Sequence, residues 1–365
     1  MSVPALLTWL IAIPVDEAVG DNWSRQLEQR HPTFLKALLY LQLPALSLTT
    51  FFFAYYLSDW TFLGPALDVA RERTVGFHMF MTIGVVAMFY GIAGINVAHE
   101  LVHRNNRTAV TVGRWLLSFS LDTGFSLEHV YGHHVNVGTL KDPATAPRGI
   151  NLWWYYVRAI VHGNRNAWRI EKRFLAKRGR PVWSLRNRFI TGQLMSLVWI
   201  VLFAVAAGWV GVVAFLFVAL WSKLYLELTN FIEHYGLVRV EGTRVEARHS
   251  WNSSRRLTNW MLFNLPRHAD HHIKPGKNYW ELDARRDAPQ LPHGYFMMAG
   301  MAMVPPIFRR KMHPFLEVWD RDHASDAERA LIASRGVAAA GNVETPAVPA
   351  RSTMSRIRSR SRAGQ

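Results

Sequence analysis

Cysteine is absent from all 365 residues. That excludes disulfide bonds, thiolate-ligated zinc and any iron–sulfur module fused into this chain. Charge is missing too, but only in places. No Asp, Glu, Lys or Arg occurs over Ala37–Ser58, over Val75–His99, or between Arg188 and Lys223. Apolar runs of about 18 residues or more read as membrane spans, since about 20 residues of helix cross a hydrocarbon core of ~30 Å. The last run is too long for one upright helix at ~1.5 Å per residue. It is expected to fold back as a hairpin turning near Gly208-Trp209-Val210-Gly211. The expected spans are therefore about 37–58, 75–98, 192–207 and 210–232. Their lengths favour a membrane over the alternative, the buried helices of a large soluble protein.

Acidic residues are outnumbered, 26 against 42 Lys and Arg, for a net charge of +16. The excess concentrates after the second apolar run, at Arg158, Arg165, Arg169, Lys172, Arg173, Lys177, Arg178 and Arg180. The short loop Asp59–Arg73 has only Arg71 and Arg73 against Asp59, Asp68 and Glu72. Basic loops stay in the cytoplasm, and a hairpin out and back returns the chain to that same side near Asn230. Basic segments beside spans answer to orientation and anionic lipid, so no nucleic-acid partner is expected.

Three regions are expected. Residues 1–32 form a short apolar half-span and a polar link, 33–315 a membrane-embedded body, and 316–365 a polar, basic, mostly disordered tail. Val3–Val15 ends at Asp16-Glu17 and lacks the basic start and small-residue cleavage site of a signal peptide. Phe296–Phe308 is interrupted by Pro305-Pro306, which suits an interfacial segment better than a span. The tail from about Gly336 is rich in Ala, Pro and Ser with scattered arginines, a composition that does not pack.

Histidine is what the chain has in excess, 16 in all, and nine fall in four clusters expected just outside the membrane on one face. The first is His99-Glu100-Leu101-Val102-His103, whose i, i+4 spacing puts both imidazoles on one helix face. The second is Glu128-His129-Val130-Tyr131-Gly132-His133-His134, with His129 and His133 again four apart. The third is Asn230-Phe231-Ile232-Glu233-His234-Tyr235-Gly236, and the fourth Arg267-His268-Ala269-Asp270-His271-His272. Imidazole binds borderline metals, and a ligating imidazole usually gives its second N–H to a carboxylate or carbonyl. Each cluster carries such an acid: Glu100, Glu128, Glu233 and Asp270, with Asp142 available to fix the loop after the second. Nine imidazoles exceed one tetrahedral zinc and suit two metals of higher coordination number. The first cluster alone also satisfies the H-E-x-x-H pattern of a zinc protease, but that leaves the other seven histidines without a role.

These four motifs, together with Asp142-Pro143-Ala144, resemble those of the membrane alkane 1-monooxygenases, within the wider group of membrane di-iron desaturases and hydroxylases. Two further stretches share the likeness, Arg248–Ser253 and Pro289–Tyr295, and it covers roughly residues 5–315. The Asn230–Gly236 segment favours the hydroxylases over generic desaturases. Arg104 stands where the family usually has Lys, and Pro266 where Gln is common. The family typically has six spans, so one or more are expected to be short or missing at this N-terminus.

The resemblance implies an all-α integral membrane helical bundle with a cytoplasmic polyhistidine di-iron site. Two irons would be held by His99, His103, His129, His133, His134, His234, His268, His271 and His272, with Glu100, Glu128, Glu233, Asp270 and Asp142 behind them. It implies an O2-dependent enzyme that hydroxylates the terminal C–H of an alkane or alkyl chain to a primary alcohol. Fatty-acyl desaturation, alkyl-aromatic hydroxylation and, more remotely, the zinc protease are the alternatives. It also implies a separate rubredoxin or ferredoxin with its reductase, and an inner-membrane location.

Overall fold

A computed structural model describes residues 2–23 and 31–335, with side chains from residue 10 onward. Part of the polar link before Pro32 and the tail from Gly336 lie outside the described residues. Among the described residues every regular element is helical, and there is no strand. Three helices are long and apolar enough to cross a membrane: Pro32–Leu57, Phe77–Val102 and Arg188–His234.

The third of these is two helices joined by a reversal. Ala207 and Gly208 leave helical geometry, and Gly208 takes φ +57°, a left-handed conformation that glycine enters without a Cβ penalty. The two halves then lie side by side. Trp199 donates to the Ser118 hydroxyl at 2.8 Å, while Ser222, on the other half, donates to Ser120 at 2.8 Å. Phe203 and Phe215 stack with ring centroids 4.9 Å apart just below the turn. The first two spans are joined by Thr50 and Tyr90, whose hydroxyls lie 2.7 Å apart in the core. Arg107–Ser118 packs against both, and Phe119 stacks on Trp199 at 4.3 Å.

Outside the spans the chain is more ordered than its polarity suggested. Leu152–Ala176 is one amphipathic helix that buries Leu152, Tyr155, Ala159, Ala167, Ile170 and Leu175 and turns Arg165, Arg169 and Arg173 outward. Its apolar positions recur with helical period, but they are diluted by the basic residues that dominate the composition. Pro305-Pro306 does not break a helix; it starts one, Pro305–Val318, in the first turn where no N–H is needed. The apolar segment Phe296–Phe308 is thus divided between that helix and Tyr295–Ala302.

Described helical structure also continues past residue 315, where the membrane-embedded body is expected to end. Trp319 is fully buried, and a further helix, Asp326–Ser334, is opened by a reciprocal Ser325–Glu328 capping box. At the other end, the Ser2–Val19 helix runs past the Val3–Val15 stretch. Asp16 is buried because it caps Thr258, whose N–H donates to it at 2.8 Å.

One buried ion pair ties the hairpin to the loop before the second histidine cluster: Lys223 Nζ lies 2.6 Å from Asp122, and both side chains are less than a tenth exposed. Removing one partner strands the other charge, so Asp122→Ala is expected to cost about 3–5 kcal/mol. The loss would be read as a drop in thermal midpoint in detergent. The double variant Asp122→Leu/Lys223→Met, which buries no charge, should recover most of it.

Candidate metal centre

The end of the Phe77–Val102 helix brings His99 and His103 to the site, one turn apart. A wider, π-type turn over Tyr90–Asn96 precedes them, a distortion that recurs at functional sites. A second such turn spans His129–His133, where the His134 N–H bonds back to the His129 carbonyl. It changes which histidines meet. The i, i+4 rule pairs His129 with His133, but in the wider turn residues five apart bring their Nε2 atoms together, with the two rings edge-on. His129 and His134 have Nε2 atoms 3.0 Å apart, and His133 is rotated to the other side. In the short helix His268–Ile273 the ordinary period holds, and the Nε2 atoms of His268 and His272 lie 3.0 Å apart. His234 arrives from the end of Arg188–His234.

All nine histidines are brought together, in two groups. His99, His103, His129, His134 and His271 form one, and His133, His234, His268 and His272 the other; within each, the ligand atoms lie within 4.8 Å of one another. His271 Nε2 is 3.1 Å from that of His134, His133 Nε2 is 3.2 Å from that of His272, and His234 Nε2 is 3.2 Å from that of His268. Two nitrogens ~2.1 Å from one ion at right angles lie about 3.0 Å apart, so these separations suit neighbouring ligands on a shared ion. The Nε2 atoms of His99 and His103 are buried with no protein partner, as expected of lone pairs reserved for a metal.

Electrostatics agrees. Burial, reinforced by the neighbouring imidazoles, holds His103, His129, His134, His268, His271 and His272 well below the ordinary histidine range. They are therefore neutral, which is the form that ligates. His133 is the exception. Burial works against its charge, but Asp142 at 2.9 Å on Nδ1 outweighs burial and raises it. Burial also pushes the Glu128 carboxyl up to about 8, with Asp142 adding to the effect.

The five acids singled out from sequence occupy different positions. Asp142 holds the outer nitrogen of His133 and also accepts from Thr145 at 2.6 Å. Glu233 lies 3.1 Å from His268 Nε2. Glu100 turns away to Arg104 and to the Tyr279 N–H at 3.0 Å, which ties up the carboxylate that a zinc protease would use as its base. Glu128 receives Asn166 at 3.1 Å. Asp270 accepts from Lys277 at 2.7 Å and from the Asp283 N–H at 3.0 Å, fixing the loop after the fourth cluster.

Four contributors were not singled out as site residues. The Tyr295 hydroxyl donates to Glu233 at 2.8 Å, and Asn166 reaches Glu128 from the Leu152–Ala176 helix. The His249 carbonyl lies 3.4 Å from His234 Nδ1, while its ring is gripped by Glu328 at 2.8 Å. Tyr295 and His249 sit in the two family-like stretches, the only signal that pointed to them. Asn166 and Glu328 carried none.

An apolar cavity of about 100 Å³ leads to this cluster. Met88, Ile92, Leu226, Phe296 and Ala299 line it, and its polar end is formed by His99, His129, His268 and Glu233.

The fatty acid desaturase family model matches residues 74–300, a stretch that contains all nine clustered histidines. The chain belongs to the fatty acid desaturase family. Among its relatives, alkane 1-monooxygenase 2 of Alcanivorax borkumensis is 39% identical over 244 residues, covering 66% of this chain and 63% of that protein. Alkane 1-monooxygenase of Ectopseudomonas oleovorans is 32% identical over 330 residues, covering 86% and 78%. The xylene/toluene monooxygenase hydroxylase component of Pseudomonas putida is 28% identical over 251 residues, 67% of each. Alkane 1-monooxygenase 1 of Pseudomonas aeruginosa matches over 61% of this chain and 60% of its own length, so the similarity spans less than two thirds of some of these relatives.

Outer-shell carboxylates in metal sites are typically worth 10–100-fold in metal affinity. Asp142→Asn is therefore expected to weaken retention of one metal by about that factor in a chelator competition, with little loss of helical content.

Proposed function

We propose that this desaturase-family protein is a di-iron monooxygenase that inserts one oxygen atom from O2 into the terminal C–H of an alkane or alkyl chain, giving a primary alcohol. The observation that carries the reading is the meeting of two histidine groups with the end of an apolar cavity. The nine histidines are proposed as the ligands: His99, His103, His129, His134 and His271 for one iron, His133, His234, His268 and His272 for the other. The alkane 1-monooxygenase relatives supply the reaction class.

Bound iron would supply the activation of O2 that attack on an unactivated C–H bond requires. The remaining work falls to side chains. The cavity walls, Met88, Ile92, Leu226 and Phe296 among them, offer an alkyl chain nothing to hydrogen-bond and fix its direction by shape alone. That leaves the chain terminus at His99, His129 and His268, where positioning governs which carbon reacts. Phe125, stacked on His129 at 4.5 Å, packs a dry wall beside the reacting end.

Hydroxylation consumes two electrons and two protons beyond the substrate's own, and these 365 residues have no cysteine to hold an iron–sulfur centre that would deliver the electrons. A separate rubredoxin or ferredoxin with its reductase is proposed, approaching the basic cytoplasmic side of an inner-membrane protein. The outward arginines of Leu152–Ala176 would favour an acidic carrier.

With purified protein, an acidic electron carrier and 18O2, a linear alkane is expected to yield the 1-alcohol carrying one 18O. An alkene product would instead favour desaturation, and a benzylic alcohol formed preferentially from an alkylbenzene would favour the aromatic reading. Ala299→Phe should fill the cavity, cutting turnover of long alkanes at least tenfold while short ones are spared.

A further inference from the structure

The two histidine groups are unequal: five imidazoles converge on one position and four on the other. We propose that Glu233 supplies the missing donor, its carboxylate binding directly to the metal of the four-histidine group. This rests on the di-iron reading and adds a tenth ligand to it.

Which nitrogen a carboxylate touches separates an orienting role from a ligating one. An imidazole that ligates through one nitrogen can offer only the other to an orienting carboxylate. Asp142 takes that outer place. It sits on His133 Nδ1 at 2.9 Å and leaves His133 Nε2 facing His272 Nε2 at 3.2 Å. Glu233 does not. Its Oε2 is 3.1 Å from His268 Nε2, the same nitrogen that lies 3.2 Å from His234 Nε2 and 3.0 Å from His272 Nε2. With that lone pair turned inward to a metal, Nε2 has no proton for Glu233 to accept. The carboxylate therefore lies among the converging donors, at the spacing of two neighbours ~2.1 Å from a common ion.

Charge points the same way. Glu233 is 1% exposed. Among the described residues, the polar contacts of its side chain are Tyr295, donating to Oε1 at 2.8 Å, and His268, with no Lys or Arg ion pair. A buried carboxylate is retained where a cation neutralises it, and a metal beside His268 would do so. Tyr295 occupies Oε1, so Oε2 is left for the metal and binding is monodentate. Glu233 also faces the apolar cavity, which places this ligand on the substrate side.

The test uses full-length protein in mild detergent, loaded with 57Fe and read by iron content after a chelator challenge and by Mössbauer spectroscopy. Wild type is expected to hold two irons in two distinct quadrupole doublets. Glu233→Gln and Glu233→Ala should each lose one iron at least fivefold faster and shift one doublet while sparing the other. Tyr295→Phe, which keeps the carboxylate, should retain both irons. Two irons and unchanged doublets in both Glu233 variants would overturn the tenth ligand and leave the di-iron reading standing. A wild type that holds fewer than two irons would overturn both.

Discussion

Imidazole nitrogens gathered 3.0–3.2 Å apart, several to one point, cannot all be satisfied by the single N–H that each neutral ring carries, whereas one cation among them can satisfy every lone pair. Burial and the neighbouring rings hold six of them neutral, so a second proton does not supply the positive charge. The rest of the fold works to keep the rings where a cation could bind. Helix ends from Phe77–Val102 and Arg188–His234, a widened turn over His129–His133 and the short helix His268–Ile273 converge on one place. Two of the rings are also held from behind, His133 by Asp142 and His234 by the His249 carbonyl, with the His249 ring gripped by Glu328.

The same arrangement separates two environments. The apolar cavity reaches the cluster between the second span and the returning half of the hairpin. Polar pairs also stand around it: Glu128 with Asn166, and Lys223 with Asp122. The proposed oxidation, which would take an alkyl chain from the bilayer and electrons from a carrier on the aqueous side, calls for such a division, and the hairpin carries residues of both kinds. Gly208 allows the reversal, so the fold of the hairpin and the geometry of the site have a common origin.

The spans and every clustered histidine were legible in the sequence because the signals are local: uninterrupted apolar length, and imidazoles crowded within a few residues. The grouping of the histidines was not. Helical period pairs His129 with His133, and only the five-residue hydrogen bond from His134 to His129 reverses that choice. Partners distant in the chain were also hidden. Glu328 grips His249 across 79 residues and Tyr295 reaches Glu233 across 62, and neither spacing leaves a local trace. Beyond residue 315 the composition is polar, and the helix Asp326–Ser334 is signalled there only by its Ser325–Glu328 capping box.

The central claim is that two metals occupy two separable histidine groups, and iron counted per chain in paired variants tests it most directly. The account predicts two irons in wild type, with one remaining when His103 and His271 are replaced by Ala and one remaining when His133 and His272 are replaced instead. A single zinc that survives loss of His133 and His272 would contradict it and return the site to the H-E-x-x-H pair, His99 and His103.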